Sequence, residues 1–237
     1  MQKARTKLTP TSTRTREQLI LAGERLFAQQ GLDNVSLRQI NAEAGQRNSS
    51  ASHYHFGSKE SLITAICEYR LERLNERRKR MLATLDPAAG PASISTLIGM
   101  LVYPMVEEIE GSEGGHYCIQ FLSQLLSHPT MDLVGMWRNQ FGESIGQVYY
   151  GLRSALPDVP DEVFGPRFGL MWVLAVNALA DRERLAGADA GLVHHHTLPV
   201  LYLSNLVDAL AGMISAPASA ETHAEIGELR ARGHRVA

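Results

Sequence analysis

From Gln46 to Tyr54 the chain runs QRNSSASHY, and only Ala51 in that stretch lacks a side chain that forms hydrogen bonds. A guanidinium such as that of Arg47 forks onto guanine, and an amide such as Gln46 or Asn48 pairs with adenine. The hydroxyls and rings of Ser49, Ser50, Ser52, His53 and Tyr54 more often hold phosphate. A segment with so little apolar surface is presented to something other than a core, and duplex DNA matches its chemistry. The competing reading is structural. Asn48 or Ser49 would cap a helix, and Tyr54 and Phe56 would bury their rings and tie a short helix to the one before it.

The flanking residues say which elements must position these groups. Ser36 and Gln39 form a capping box, and Leu37, Ile40 and Ala44 then recur at helical spacing. Gly45 suits the left-handed stop of that helix, Gly57 closes the next one, and Ser58 starts a third with Glu60 in its first turn. Helix, tight turn and polar helix make a helix-turn-helix, whose second helix enters the major groove. Ser36 and Arg38 then touch the DNA backbone from the preceding helix.

Charge distribution agrees. The net charge is -2 over 237 residues, but residues 1–80 carry 15 Lys/Arg against 8 Asp/Glu, and the remainder carries 8 against 17. The first third therefore attracts a polyanion and the rest repels one. Two cysteines, Cys67 and Cys118, provide no disulfide framework, and both sit in apolar stripes as buried thiols. The N-terminus lacks an apolar signal sequence, and the apolar run Phe168 to Ala180 is shorter than the ~20 residues of a membrane span. The expectation is a cytoplasmic protein with no membrane partner.

Everything periodic is helical, so the fold class is all-α, with about nine helices. Residues 1–13 read as a flexible basic arm, and 14–85 as a helix-turn-helix domain with a connecting helix. The heavily charged end of that helix, RLERLNERRKR, reads as the connection itself. Pro87, Gly90 and Pro91 mark a boundary before a larger helical domain over 91–216, and 217–237 reads as a polar tail with at most one marginal helix. In the larger domain helices are expected over 94–109, kinked by Pro104, and over 117–126, 131–152, about 161–185 and about 192–214. The stretch FGLMWVLAVNAL, apolar on nearly every face, predicts burial all round.

Over residues 14–70 the pieces TREQLILAGERLFAQQG, SLRQINAEAG and HYHFGSKESL resemble the TetR (tetracycline-repressor-like) family of bacterial transcription regulators. The resemblance implies a homodimeric repressor that is not an enzyme. It implies a small N-terminal DNA-binding domain and a variable C-terminal domain for dimerisation and ligand binding. It makes Lys59 a phosphate contact and places the dimer interface on helices 161–185 and 192–214. A two-fold dimer implies a palindromic operator. The segment between Gly45 and Phe56 is one residue longer than the usual family spacing, and Ser52 stands where the family usually has an apolar anchor.

A small effector would bind among the large or polar-tipped side chains Tyr103, Met105, His116, Tyr117, Phe121, Met136, Trp137, Phe141, Tyr149 and Trp172. Few charges interrupt these stripes, which suggests an apolar or aromatic effector. No cofactor or metal is expected. The run His194 to His196 points its rings about 100° apart on a helix, so it cannot chelate one ion unaided. Residues 142–146 match the G-x-S-x-G elbow, which needs a preceding strand, whereas Phe141, Ile145, Val148 and Leu152 continue a helical stripe. The alternatives are an architectural DNA binder that needs no effector and, more remotely, a helical hydrolase using Ser144.

Overall fold

The computed structural model describes residues 10–48, 50–86, 88, 90–128, 142–187 and 199–232. Ten α-helices and no strand occur among them: α1 (Pro10–Gln30), α2 (Leu37–Glu43), α3 (Ala51–Phe56), α4 (Lys59–Leu82), α5 (Ile94–Gly111), α6 (Gly115–Leu126), α7 (Gly142–Ala155), α8 (Asp161–Gly187), α9 (Pro199–Ser215) and α10 (Ala220–Ala231). Two compact units form, one within 1–74 and 107–136, the other within 75–106 and 137–237. The units are discontinuous in sequence, because α4 and α5 each contribute to both.

In the first unit α1 lies against α2, α3 and α6. Leu19, Ile20 and Phe27 of α1 are buried together with Ile40 of α2, Leu62 and Ile66 of α4, and Phe121 of α6. Burying each such side chain contributes about 1.5–3 kcal/mol. The Phe27 and Phe121 rings meet at 6.2 Å. At Gly115 a Cβ would come within 2.0 Å of the Glu108 carbonyl oxygen, so only glycine lets α6 start directly against the end of α5. Cys67 and Cys118 are both buried, and burial pushes the Cys67 thiol up to about 12.

Buried among these apolar residues is an ion cluster. Arg70 donates to both carboxylate oxygens of Glu24 on α1, at 2.8 and 2.5 Å, to Glu108 on α5 at 2.6 Å, and to the Glu113 carbonyl at 2.9 Å. Arg73 approaches Glu108 at 3.2 Å, which balances two carboxylates with two guanidiniums. Burial pushes the Glu24 carboxyl above its ordinary range despite Arg70. It works against the Arg70 charge as well, but the bonds and charge of Glu24 outweigh it and hold that guanidinium above its usual value.

In the second unit α8 packs on α9. Val148, Leu152, Phe164, Trp172, Val176, Leu210 and Ile214 are buried there. Tyr149 meets Phe164 and Phe168 edge-on at 5.1 and 5.0 Å, and the Tyr202 hydroxyl of α9 donates to the Ala178 carbonyl of α8 at 2.8 Å. By length and composition Asp161–Arg184 would suffice for a membrane span, but 44% of its apolar window is buried within the fold.

Several expectations change. Residues 10–13, expected in the basic arm, are helical instead, because α1 begins at Pro10, whose missing N–H is harmless in a first turn. Burial of 168–179 on every face is wrong: Leu170, Val173 and Leu174 are exposed, as are Val200 and Leu201 of α9. The tail forms α10, capped by Ser219, closed onto α8 by the Arg230–Glu162 pair and anchored by buried Ile226. The expected helix over 131–152 is described only from Gly142, and Met136, Trp137, Phe141 and the run His194 to His196 lie outside the described residues.

Replacing Arg70 strands the buried Glu24 carboxylate and leaves Glu108 to Arg73, whereas replacing Glu24 leaves Arg70 paired with Glu108. Arg70→Met should therefore cost about 3–5 kcal/mol in urea denaturation, and Glu24→Gln clearly less. Equal losses for the two variants would contradict the cluster as described.

Candidate nucleic-acid interface

The turn between α2 and α3 is built by backbone and caps. Ser36 takes the Gln39 amide at 3.3 Å, and Gln39 reaches back to the Ser36 amide at 2.8 Å, completing the capping box. Gly45 follows with φ 66°, a left-handed value that glycine adopts without strain. Asn48 does not cap α3 as expected. Its Oδ1 accepts from the Ser50 amide at 2.9 Å, and the N-cap falls at Ser50. Ser49 lies outside the described residues.

The side chain of Ser52 is withdrawn from any DNA face. It is fully buried and donates to Asn41 Oδ1 at 2.5 Å, while its amide donates to the same oxygen at 2.9 Å. Asn41, on α2, is itself only 1% exposed. A shared polar joint thus fixes α3 to α2 where a hydrophobic anchor was expected, and it does so without leaving a buried polar atom of Ser52 unpaired. Asn41 was missed in the sequence, although it sits four residues after Leu37 on the inward stripe.

The outward face is as polar as its composition implied. Tyr54 is 80% exposed, which sets aside the competing reading in which its ring is buried, while Phe56 is half-buried under the Arg16 guanidinium of α1 at 5.3 Å. Arg38 and Arg47 are exposed and form no ion pair among the described residues. Ser36 and Ser50 are exposed as well. His53 is exposed, with Nδ1 3.0 Å from the Gly57 carbonyl oxygen. Gln46 turns back instead, donating to Gln18 at 3.3 Å and to the Ala44 carbonyl at 3.1 Å, so reading a base would require it to exchange those bonds. Lys59 donates to the Asp33 carbonyl at 3.3 Å at the start of α4, where free amides favour an anion. Burial, and then the charge of Arg16, push His55 below its ordinary value and keep it neutral at pH 7.

The described effector candidates divide between the two units. His116, Tyr117 and Phe121 lie on α6 within the first unit. Phe121 packs on Phe27, and the Tyr117 hydroxyl accepts from Gln29 of α1 at 3.2 Å. His116 and Tyr117 edge a cleft of about 380 Å³ between α1, the end of α2 and the start of α6. Met105, Tyr149 and Trp172 belong to the second unit, Met105 and Trp172 buried, while Tyr103 is exposed. Ser144 lies in helix α7, is 2% exposed and bonds to Asn75 and Arg78, which is unlike a strand-borne nucleophile. No group of metal-ligating side chains occurs among the described residues.

Removing the shared acceptor should loosen α3. Asn41→Ala is expected to cost about 1–3 kcal/mol, the range for stranding a buried donor, and Ser52→Ala less, because its amide keeps the bond. Chemical denaturation checks the order, and an unchanged midpoint for Asn41→Ala would remove the joint from the account.

Comparison with known proteins places this geometry. Residues 19–66 match the family described as bacterial regulatory proteins, tetR family, and residues 100–213 match the tetracyclin repressor-like C-terminal domain. No curated protein sequence matches significantly. The crystal structure of Mycobacterium smegmatis AmtR is similar over 100% of both chains, with a TM-score of 0.52 and 18% identity. A TetR-family regulator from Streptomyces coelicolor covers 89% of this chain and 99% of its own, with a TM-score of 0.44 and 16% identity. RolR in complex with resorcinol covers 90% and 93%, with a TM-score of 0.47 and 18% identity. The two family matches together span more than half of the residues and include all of α2 and α3, so the chain belongs to the tetracycline-repressor (TetR) family of non-enzymatic, DNA-binding bacterial transcriptional regulators.

Proposed function

We propose that this chain is a homodimeric repressor that leaves a palindromic operator when a small effector binds. The observation that carries the reading is α3: a helix whose inward groups, Ala51 and Ser52, are buried and whose outward groups, His53 and Tyr54, are exposed beside Arg47. In this reading Arg47 and Tyr54 face the major groove, and Ser36, Arg38, Asn48, Ser50, His53 and Lys59 contact base edges or phosphates nearby. Residues 14–85 serve DNA binding and connection, and 91–216 serve effector binding and dimerisation, in a protein working in the cytoplasm.

Exposed apolar side chains support dimerisation through α8 and α9. Leu170 is 62% exposed, Leu174 44%, Val200 78% and Leu201 58%, a cost to a monomer in water that a second copy would relieve. The effector has an apolar or aromatic body, consistent with Met105, Tyr149 and Trp172 in the second unit. Its binding favours a conformer with the wrong spacing between recognition helices, so effector and DNA weaken each other reciprocally.

Arg47→Ala should weaken binding to a selected operator by about 1–3 kcal/mol while changing affinity for random DNA far less. Fluorescence anisotropy reads both, and an equal loss on the two DNAs would make Arg47 a phosphate contact. Leu174→Glu should shift sedimentation from dimer toward monomer; an unchanged dimer would move the interface off α8.

A further inference from the structure

Helix α4 buries two guanidiniums, Arg70 and Arg78, and treats them differently. Arg70 meets two carboxylates. Arg78, two helical turns on, is 0% exposed and among the described residues meets only neutral acceptors. Its Nε donates to the Met100 carbonyl at 3.0 Å, and one terminal nitrogen donates to Asn75 Oδ1 at 2.9 Å and Ser144 Oγ at 3.3 Å. The other terminal nitrogen, Nη2, is buried with no hydrogen-bond partner among the described residues. Glu76, on the same helix, is turned to Lys79 at 2.9 Å on the surface.

A buried cation without a counter-charge is unfavourable, and an unmade bond on the same group adds to the cost. Burial pushes the Arg78 guanidinium down to about 10, so it still carries its charge at neutral pH. The unit that holds Arg78 also buries the apolar side chains of Leu97, Ile98, Leu101, Val148 and Leu152. A planar guanidinium with a free N–H edge in such a setting matches the geometry of a carboxylate.

We propose that Arg78 is the anchor for a carboxylate on the effector, its Nη2 completing a charge-assisted hydrogen bond that no described residue makes. This deepens, and rests on, the reading of the chain as an effector-responsive regulator. It sharpens that effector from an apolar or aromatic molecule to an apolar or aromatic acid. Asn75 and Ser144 act as positioning residues, holding the guanidinium by its other nitrogen.

The test uses the full-length protein and paired probes: butyrate, benzoate, phenylacetate and salicylate, each against its neutral amide. Thermal melting and calorimetry read binding without DNA, and anisotropy on a DNA selected from a random library reads release. The expected result is that at least one acid raises the melting temperature above its amide. That acid should bind Arg78→Met about tenfold to a hundredfold more weakly, the range for losing one charge-assisted hydrogen bond. Arg78→Lys, which keeps the charge, should retain part of the affinity and serves if the Met variant does not fold. No acid exceeding its amide, or equal binding to both variants and the parent, would overturn the proposal. An acid that binds through Arg78 without releasing DNA would uphold the site and sink the effector-responsive reading. A neutral amide that releases DNA would do the reverse.

Discussion

The reading head of this protein depends on how one guanidinium is held. Arg70 takes both oxygens of Glu24 on α1, one of Glu108 on α5 and a carbonyl just before α6, so four helices meet at one planar group. Apolar packing alone would tolerate small sliding of α1 against α4 and α6, because contacts between Leu, Ile and Phe carry little direction. A bidentate pair tolerates little, since its geometry is fixed at both ends. Since α2 and α3 are both packed on α1, the position of the DNA-facing surface inherits that constraint.

The second constraint is at α3 itself. A six-residue helix is too short to be stable by its own hydrogen bonds and must be fixed by its neighbours. Here the fixing groups are Ala51, the Ser52–Asn41 joint and the half-buried Phe56 under Arg16. Using a small polar anchor leaves the rest of the helix free to be polar.

Much of this was legible in the sequence. The capping box, the stops at Gly45 and Gly57, and the helical periodicity of α1, α2 and α4 follow from local rules, and local rules are what a sequence displays. The misses share a cause. Local rules leave Tyr54 open between a DNA contact and a buried ring, because its direction depends on where α3 docks. Arg70 and Arg78 read as part of a charged connecting segment, although they continue the stripe of Ile63, Ile66, Leu71 and Leu74 at helical spacing. Glu24 and Asn41 sit on inward stripes in the same way. A charge in register with a core is the signal that could have found them, and its partners come from other helices, which no local rule reveals. The packing of α6 on α1 is of the same kind.

The central claim is that α3 and its neighbours read a defined DNA sequence as a two-fold pair. Selecting fragments from a random DNA library with the full-length protein and sequencing the survivors addresses this most directly. The account predicts one enriched motif with two inverted halves, their centres about 10 bp or a multiple of that apart. Retention of DNA with no enriched sequence, or with a single unpaired half, would contradict it.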